Sequence, residues 1–79
     1  MSGEEISQIN VAAYYLAQKG YTFDKLCWEL AKRQLIILQD PKYNQEVRIR
    51  EKAAEIFFSG PTYDILCYLI SEIDIKMKS

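Results

Sequence analysis

The chain has 79 residues, ten Lys/Arg against eleven Asp/Glu, two cysteines and no histidine. That length is one domain's worth, near the size at which a single core only just offsets chain entropy. A tetrahedral zinc site takes about four nitrogen or sulfur ligands, so Cys27 and Cys67 alone cannot build one within the chain; no metal, cofactor or small-molecule substrate is indicated. Near-balanced charge argues against a nucleic-acid module, whose affinity rests on a basic excess.

The first residues, Met1 to Glu5, are acidic and lead into no apolar segment of signal-peptide type. Nor does any run approach the ~20 apolar residues that span a bilayer. Cytoplasm is therefore the expected compartment, with both thiols reduced.

Four helices are predicted, at about 4–19, 22–38, 41–59 and 62–77. Ser2 and Glu5 have capping-box spacing at the start of the first. Ile9, Ala13 and Leu16 then form its apolar stripe, and Gly20 sits where a left-handed residue stops a helix. Thr22 caps the second helix, with Asp24 in its first turn. Phe23, Leu26, Cys27, Leu30 and Ile37 make its core face, but Trp28, Leu35, Ile36 and Leu38 leave it apolar around most of its circumference. Asp40-Pro41 reads as N-cap and N1 of the third helix, though Asn44 offers a later start. Its stripe is Ile49, Ala53 and Ile56. Gly60-Pro61 stops it, Thr62 and Asp64 open the fourth, and Tyr63, Leu66, Cys67, Ile70 and Met77 form that helix's core face.

These positions repeat without a gap at 40 residues: Ile9/Ile49, Ala13/Ala53, Gly20/Gly60, Thr22/Thr62, Asp24/Asp64, Leu26/Leu66 and Cys27/Cys67. The expected architecture is an all-α four-helix bundle and a single domain over 1–79. It consists of two tandem helical hairpins, about 4–38 and 41–77, with short connections favouring antiparallel neighbours.

Catalytic chemistry is poorly supplied. Asp24 and Asp64 are explained as first-turn residues beside a threonine cap, and there is no histidine, evident nucleophile or glycine-rich phosphate loop. Cys27 and Cys67 lie past the first turn, where a helix would most lower a thiol pKa, and read as small core hydrophobes. The run Glu46 to Lys52 pairs internally, Glu46 with Arg50 and Arg48 with Glu51, as a solvated helix face does. Two features exceed what one core needs. The second helix is apolar all round, and the adjacent aromatics Tyr14-Tyr15 and Phe57-Phe58 cannot all face one stripe. They point to a non-enzymatic, self-associating protein-interaction or regulatory module with a partner surface centred on Tyr15, Trp28 and Leu35. The partner would be a second copy or another protein. The alternative is a DNA- or RNA-binding regulator using the second helix (Lys25, Lys32, Arg33) or the third.

The stretch Ile49-Arg50-Glu51-Lys52-Ala53-Ala54-Glu55-Ile56, with Gly60, Asp64, Tyr68-Leu69 and Glu72, resembles a family of short bacterial helical domains of unknown function. Those domains carry an I-R-E-[RK]-A-x-E-I run, a glycine and a later D-x₃-W-L; Tyr68 stands at the tryptophan place. Residues 9–34 echo the pattern more faintly, through Asp24-Lys25-Leu26-Cys27-Trp28. The resemblance implies helices and no site residues.

Overall fold

Each helix boundary has a local cause. The computed structural model of the chain describes residues 3–78, and among them forms α1 (Gly3–Gln18), α2 (Phe23–Ile37), α3 (Glu46–Phe58) and α4 (Tyr63–Lys78), with no strand. Gly20 and Gly60 take φ of 71° and 77°, and their amides bond back to the carbonyls of Ala17 and Phe57, closing α1 and α3. A side chain at either glycine would meet nothing within 4 Å, so the left-handed backbone, not crowding, asks for glycine. Thr22 Oγ1 accepts the Lys25 amide at 3.1 Å and Thr62 Oγ1 the Ile65 amide at 3.2 Å, capping α2 and α4. The predicted cap partner Ser2 lies outside the described residues.

The α2–α3 connection departs from expectation. Gln39 adopts φ 56°, and the amides of Gln39 and Asp40 return to the Ile36 and Leu35 carbonyls, a Schellman ending without its usual glycine. Asp40 is not the N-cap of a helix at Pro41. Its carboxylate accepts the Lys42 amide at 2.8 Å and Arg48 Nε at 3.0 Å, folding residues 40–43 into a turn, and α3 begins only at Glu46. Arg48 therefore pairs with Asp40 across the turn and not, as its spacing suggests, with Glu51.

The helices pair as α1 on α4, α4 on α2 and α2 on α3. Phe23, opening α2, meets Phe57 near the end of α3 edge-on at 5.5 Å, and the Tyr63 hydroxyl, opening α4, donates to the Tyr21 carbonyl after α1 at 2.6 Å. Both outer pairs thus run antiparallel. The expected hairpins are not formed by the helices that the four-residue links join: α1 does not pack on α2, nor α3 on α4. Each outer helix instead packs on the other half of the chain, α1 on α4 and α3 on α2. The bundle is open, with α2 and α4 as its inner pair.

Its core consists of Leu26, Cys27, Leu30, Ala31 and Leu35 on α2, Leu66, Cys67 and Ile70 on α4, and Ile49 and Ile56 on α3. Ile9 of α1 is fully buried too, and Ser71 is a buried polar residue. Two assignments change places. Leu35, expected on a partner surface, is 0% exposed, while Ile37, expected in the core, is 53% exposed; Met77, its counterpart on α4, is exposed as well. Leu35 continues the buried i, i+4 stripe of Cys27 and Ala31, which faces the core, whereas Ile37 is the last residue of α2 and lies beyond the helices that cover Leu26 and Leu30.

Two stability predictions follow from these placements. Leu35→Ala should cost about 2–4 kcal/mol and Ile37→Ala under about 0.5 kcal/mol in urea unfolding, the reverse of the ranking read from sequence. Gln39→Gly should stabilise the chain by up to about 1 kcal/mol, because it removes a left-handed side chain.

Candidate interaction site

Three of the open clefts among the described residues lie between helices. The first lies between α2 and α3, about 390 Å³, lined by Cys27, Trp28, Ala53, Ala54, Phe57 and Phe58, with Asp24 and Arg50 as its charged residues. Trp28 is half-buried against the core, Phe57 is exposed, and Phe58 is 83% exposed with its ring edge-on to Phe57 at 5.4 Å. A half-buried indole and two alanines line the same cleft as a projecting phenyl, which places a hollow and a knob on one surface.

The second lies between α1 and α4, about 440 Å³, lined by Asn10, Ala13, Tyr14, Ala17, Asp64, Ile65, Cys67 and Tyr68. Seven of its residues stand 40 positions from residues lining the first: Asn10/Arg50, Ala13/Ala53, Tyr14/Ala54, Ala17/Phe57, Asp64/Asp24, Cys67/Cys27 and Tyr68/Trp28. It lacks the exposed phenylalanine pair.

The third, about 570 Å³, opens between α1 and α2 over α4, where Tyr15 and Leu16, Lys25 and Glu29, and Ser71 and Asp74 face a common space. An ionic lattice forms its wall. Glu29 accepts Lys25 at 3.2 Å, Lys32 at 3.1 Å and Arg33 at 3.1 Å, and Arg33 reaches across to Asp74 with a two-pronged contact of 2.7 and 3.2 Å. Partial burial alone would raise the Glu29 pKa, but hydrogen bonds from Lys32, Arg33 and Lys25 outweigh it and bring it down to about 2.

The three residues expected to share a partner surface are thus separated. Trp28 lies in the α2–α3 groove, Tyr15 in the charged cleft, and Leu35 in the interior. Phe57 and Phe58, noted in sequence only as surplus aromatics, join Trp28. Their adjacency at a helix end was the available signal: one of two consecutive aromatics must turn from the core.

The remaining candidate chemistry is quiet. Cys27 and Cys67 are free and buried, and burial, reinforced by Asp24 and Asp64 nearby, pushes both thiols up. Among the described residues, no three His, Cys, Asp or Glu side chains converge as metal ligands, and no buried side-chain polar atom lacks a partner. No helix there is long and apolar enough to cross a membrane. Compared with known proteins, the chain matches no family model, no curated protein and no solved structure.

The ionic lattice makes a pH prediction. Because the folded-state pKa of Glu29 lies below its ordinary 4.5, its stabilisation is complete above that value and is lost as pH falls through about 2. Urea unfolding should therefore find Glu29→Gln less stable than wild type by roughly 1–2 kcal/mol at pH 6, discounted for solvent screening, with the gap closing towards pH 2. A pH-independent gap would assign Glu29 a packing role alone.

Proposed function

We propose that this chain is a small non-enzymatic protein-interaction module that acts by self-association, with the α2–α3 groove as its interface. The observation that carries the reading is the projection of Phe58 beside the Trp28 groove. An isologous dimer requires one patch to hold both the inserting group and its receptor. Here the phenyl ring of one copy is offered to the hollow over Ala53 and Ala54 of the other. Buried aromatic anchors of this kind carry a disproportionate share of interface energy. A cytoplasmic setting belongs to the same reading.

We further propose that the chain is a tandem duplication with units of about 4–38 and 41–77, exchanging their outer helices. Matching glycine torsions, threonine caps and groove residues support it. The likeness of residues 49–72 to short bacterial helical domains of unknown function is part of this proposal, and adds no activity.

The competing nucleic-acid reading is disfavoured by where the basic residues go. On α2, Lys25, Lys32 and Arg33 all engage Glu29; on α3, Arg48, Arg50 and Lys52 engage Asp40, Glu46 and Glu55. Phosphate binding would have to compete with every one of these pairs.

Analytical ultracentrifugation is the direct test. Wild type should sediment as a dimer at micromolar concentration, and Phe58→Ser and Trp28→Ala should each weaken it by at least about tenfold. Phe58 is 83% exposed in the single chain, so its loss should leave stability unchanged at dilutions where wild type is itself monomeric. A wild-type monomer at high micromolar concentration would overturn self-association. An electrophoretic shift at low salt that fades as salt rises would favour nucleic acid instead.

A further inference from the structure

The charged cleft between α1, α2 and α4 is not used by the proposed interface, and its composition runs against the rest of the chain. The protein carries a net charge of −1, yet this cleft gathers four cations, Lys19, Lys25, Arg33 and Lys78, against two carboxylates, Glu29 and Asp74. The two carboxylates are already engaged. Arg33 spends four N–H groups on them and on the Glu29 carbonyl, and Lys25 closes on Glu29. Lys19, at the end of α1, and Lys78, at the end of α4, have no ion-pair partner among the described residues. A concave site lined by unmatched positive charge focuses an attractive potential on small anions.

The apolar part of the lining has its own meaning. Tyr15 and Tyr21 are both exposed, and Leu16 and Ile75 also border the space. At about 570 Å³ the cleft is within the range of small-molecule sites, which combine apolar walls with a few placed polar groups.

Nor does the fold require these charges. If the chain is a duplication, as proposed above, the places equivalent to Lys19, Lys25, Glu29 and Arg33 are held by Ser59, Ile65, Leu69 and Ile73, and those of Asp74 and Lys78 by Gln34 and Leu38. The same helix pairing is thus built in the other half without a single charge at these positions. Packing explains that half; it does not explain the lysines of this one.

We propose that the cleft is a binding site for a small organic anion, a carboxylate or phosphate carried on an aromatic or other apolar frame. Lys19 and Lys78 hold the anionic group from opposite walls, and Tyr15 and Tyr21 flank the frame. The lattice of Glu29, Arg33 and Asp74 fixes the α2 and α4 walls relative to each other and positions the site without contacting the ligand's charge.

Phenyl phosphate is a suitable probe, titrated into the ¹⁵N-labelled protein with phenol and inorganic phosphate as parallel arms. Saturable amide shifts confined to residues 15–21 and 74–78 are expected. Phenol and inorganic phosphate should each bind at least about tenfold more weakly, and Lys19→Ala/Lys78→Ala should weaken phenyl phosphate by a similar factor. Both lysines are exposed, so the double variant should keep the wild-type spectrum elsewhere. Tyr15→Ala should reduce phenyl phosphate binding while sparing inorganic phosphate. The proposal is overturned by an absence of saturable shifts, by phenol binding as well as phenyl phosphate, by shifts centred on Trp28 and Phe58, or by an affinity indifferent to the two lysines. Sedimentation reads the dimer separately, so neither result decides the other.

Discussion

The contact of α2 with α4 is the one on which the remaining structure depends, because neither outer helix has another surface to pack on. Small chains gain little from any single core, and here most of the fully buried side chains belong to these two helices. Leu26 and Leu30 on one and Leu66 and Ile70 on the other supply bulk, each worth roughly 1.5–3 kcal/mol of apolar burial. Cys27, Ala31, Cys67 and Ser71 are small buried residues of the same two helices. On this account the cysteines need no redox role: a thiol is a compact apolar group, and burial disfavours its ionised form.

Once the inner pair is fixed, the outer helices are placed by where they pack. Each four-residue link carries a left-handed glycine, and the two helices that it joins make no contact with each other. Each outer helix is instead carried past its neighbour to the far side. That arrangement leaves open wedges where linked helices diverge, and the charged cleft is one of them. It also leaves the end of α3 unsupported, so that Phe58 projects and Phe57 is only partly covered by Phe23. The two candidate sites are consequences of one topological choice.

Much of the local structure was legible in the sequence because its determinants are local. The stops at Gly20 and Gly60, the caps at Thr22 and Thr62 and the inward faces of Leu26, Leu30, Leu66 and Ile70 depend on neighbours within a few residues. The misreadings mostly involve partners farther off. Asp40 reads as an N-cap from its neighbour Pro41, whereas its carboxylate is held in a turn by the Lys42 amide and by Arg48 eight residues away. Leu35 and Ile37 lie two residues apart on an apolar helix, and only the positions of α3 and α4 decide which of them is covered. Helix pairing was the least legible feature of all, since a short loop specifies proximity of ends and not the direction in which a helix leaves.

The charged cleft shows the same limit from the other side. Its residues come from three helices that sequence spacing cannot bring together, and along the chain Lys19 is an ordinary residue just past α1 and Lys78 a last-turn cation well placed against a helix dipole. What distinguishes them is the comparison of the two halves. On the proposed duplication, Lys25, Glu29 and Arg33 fall opposite Ile65, Leu69 and Ile73, while Lys19 and Asp74 fall opposite the uncharged Ser59 and Gln34. The partly buried lattice of Glu29, Arg33 and Asp74 ties α2 to α4, and on the proposed duplication it has no charged counterpart in the other half, which makes it particular to the wall of this cleft.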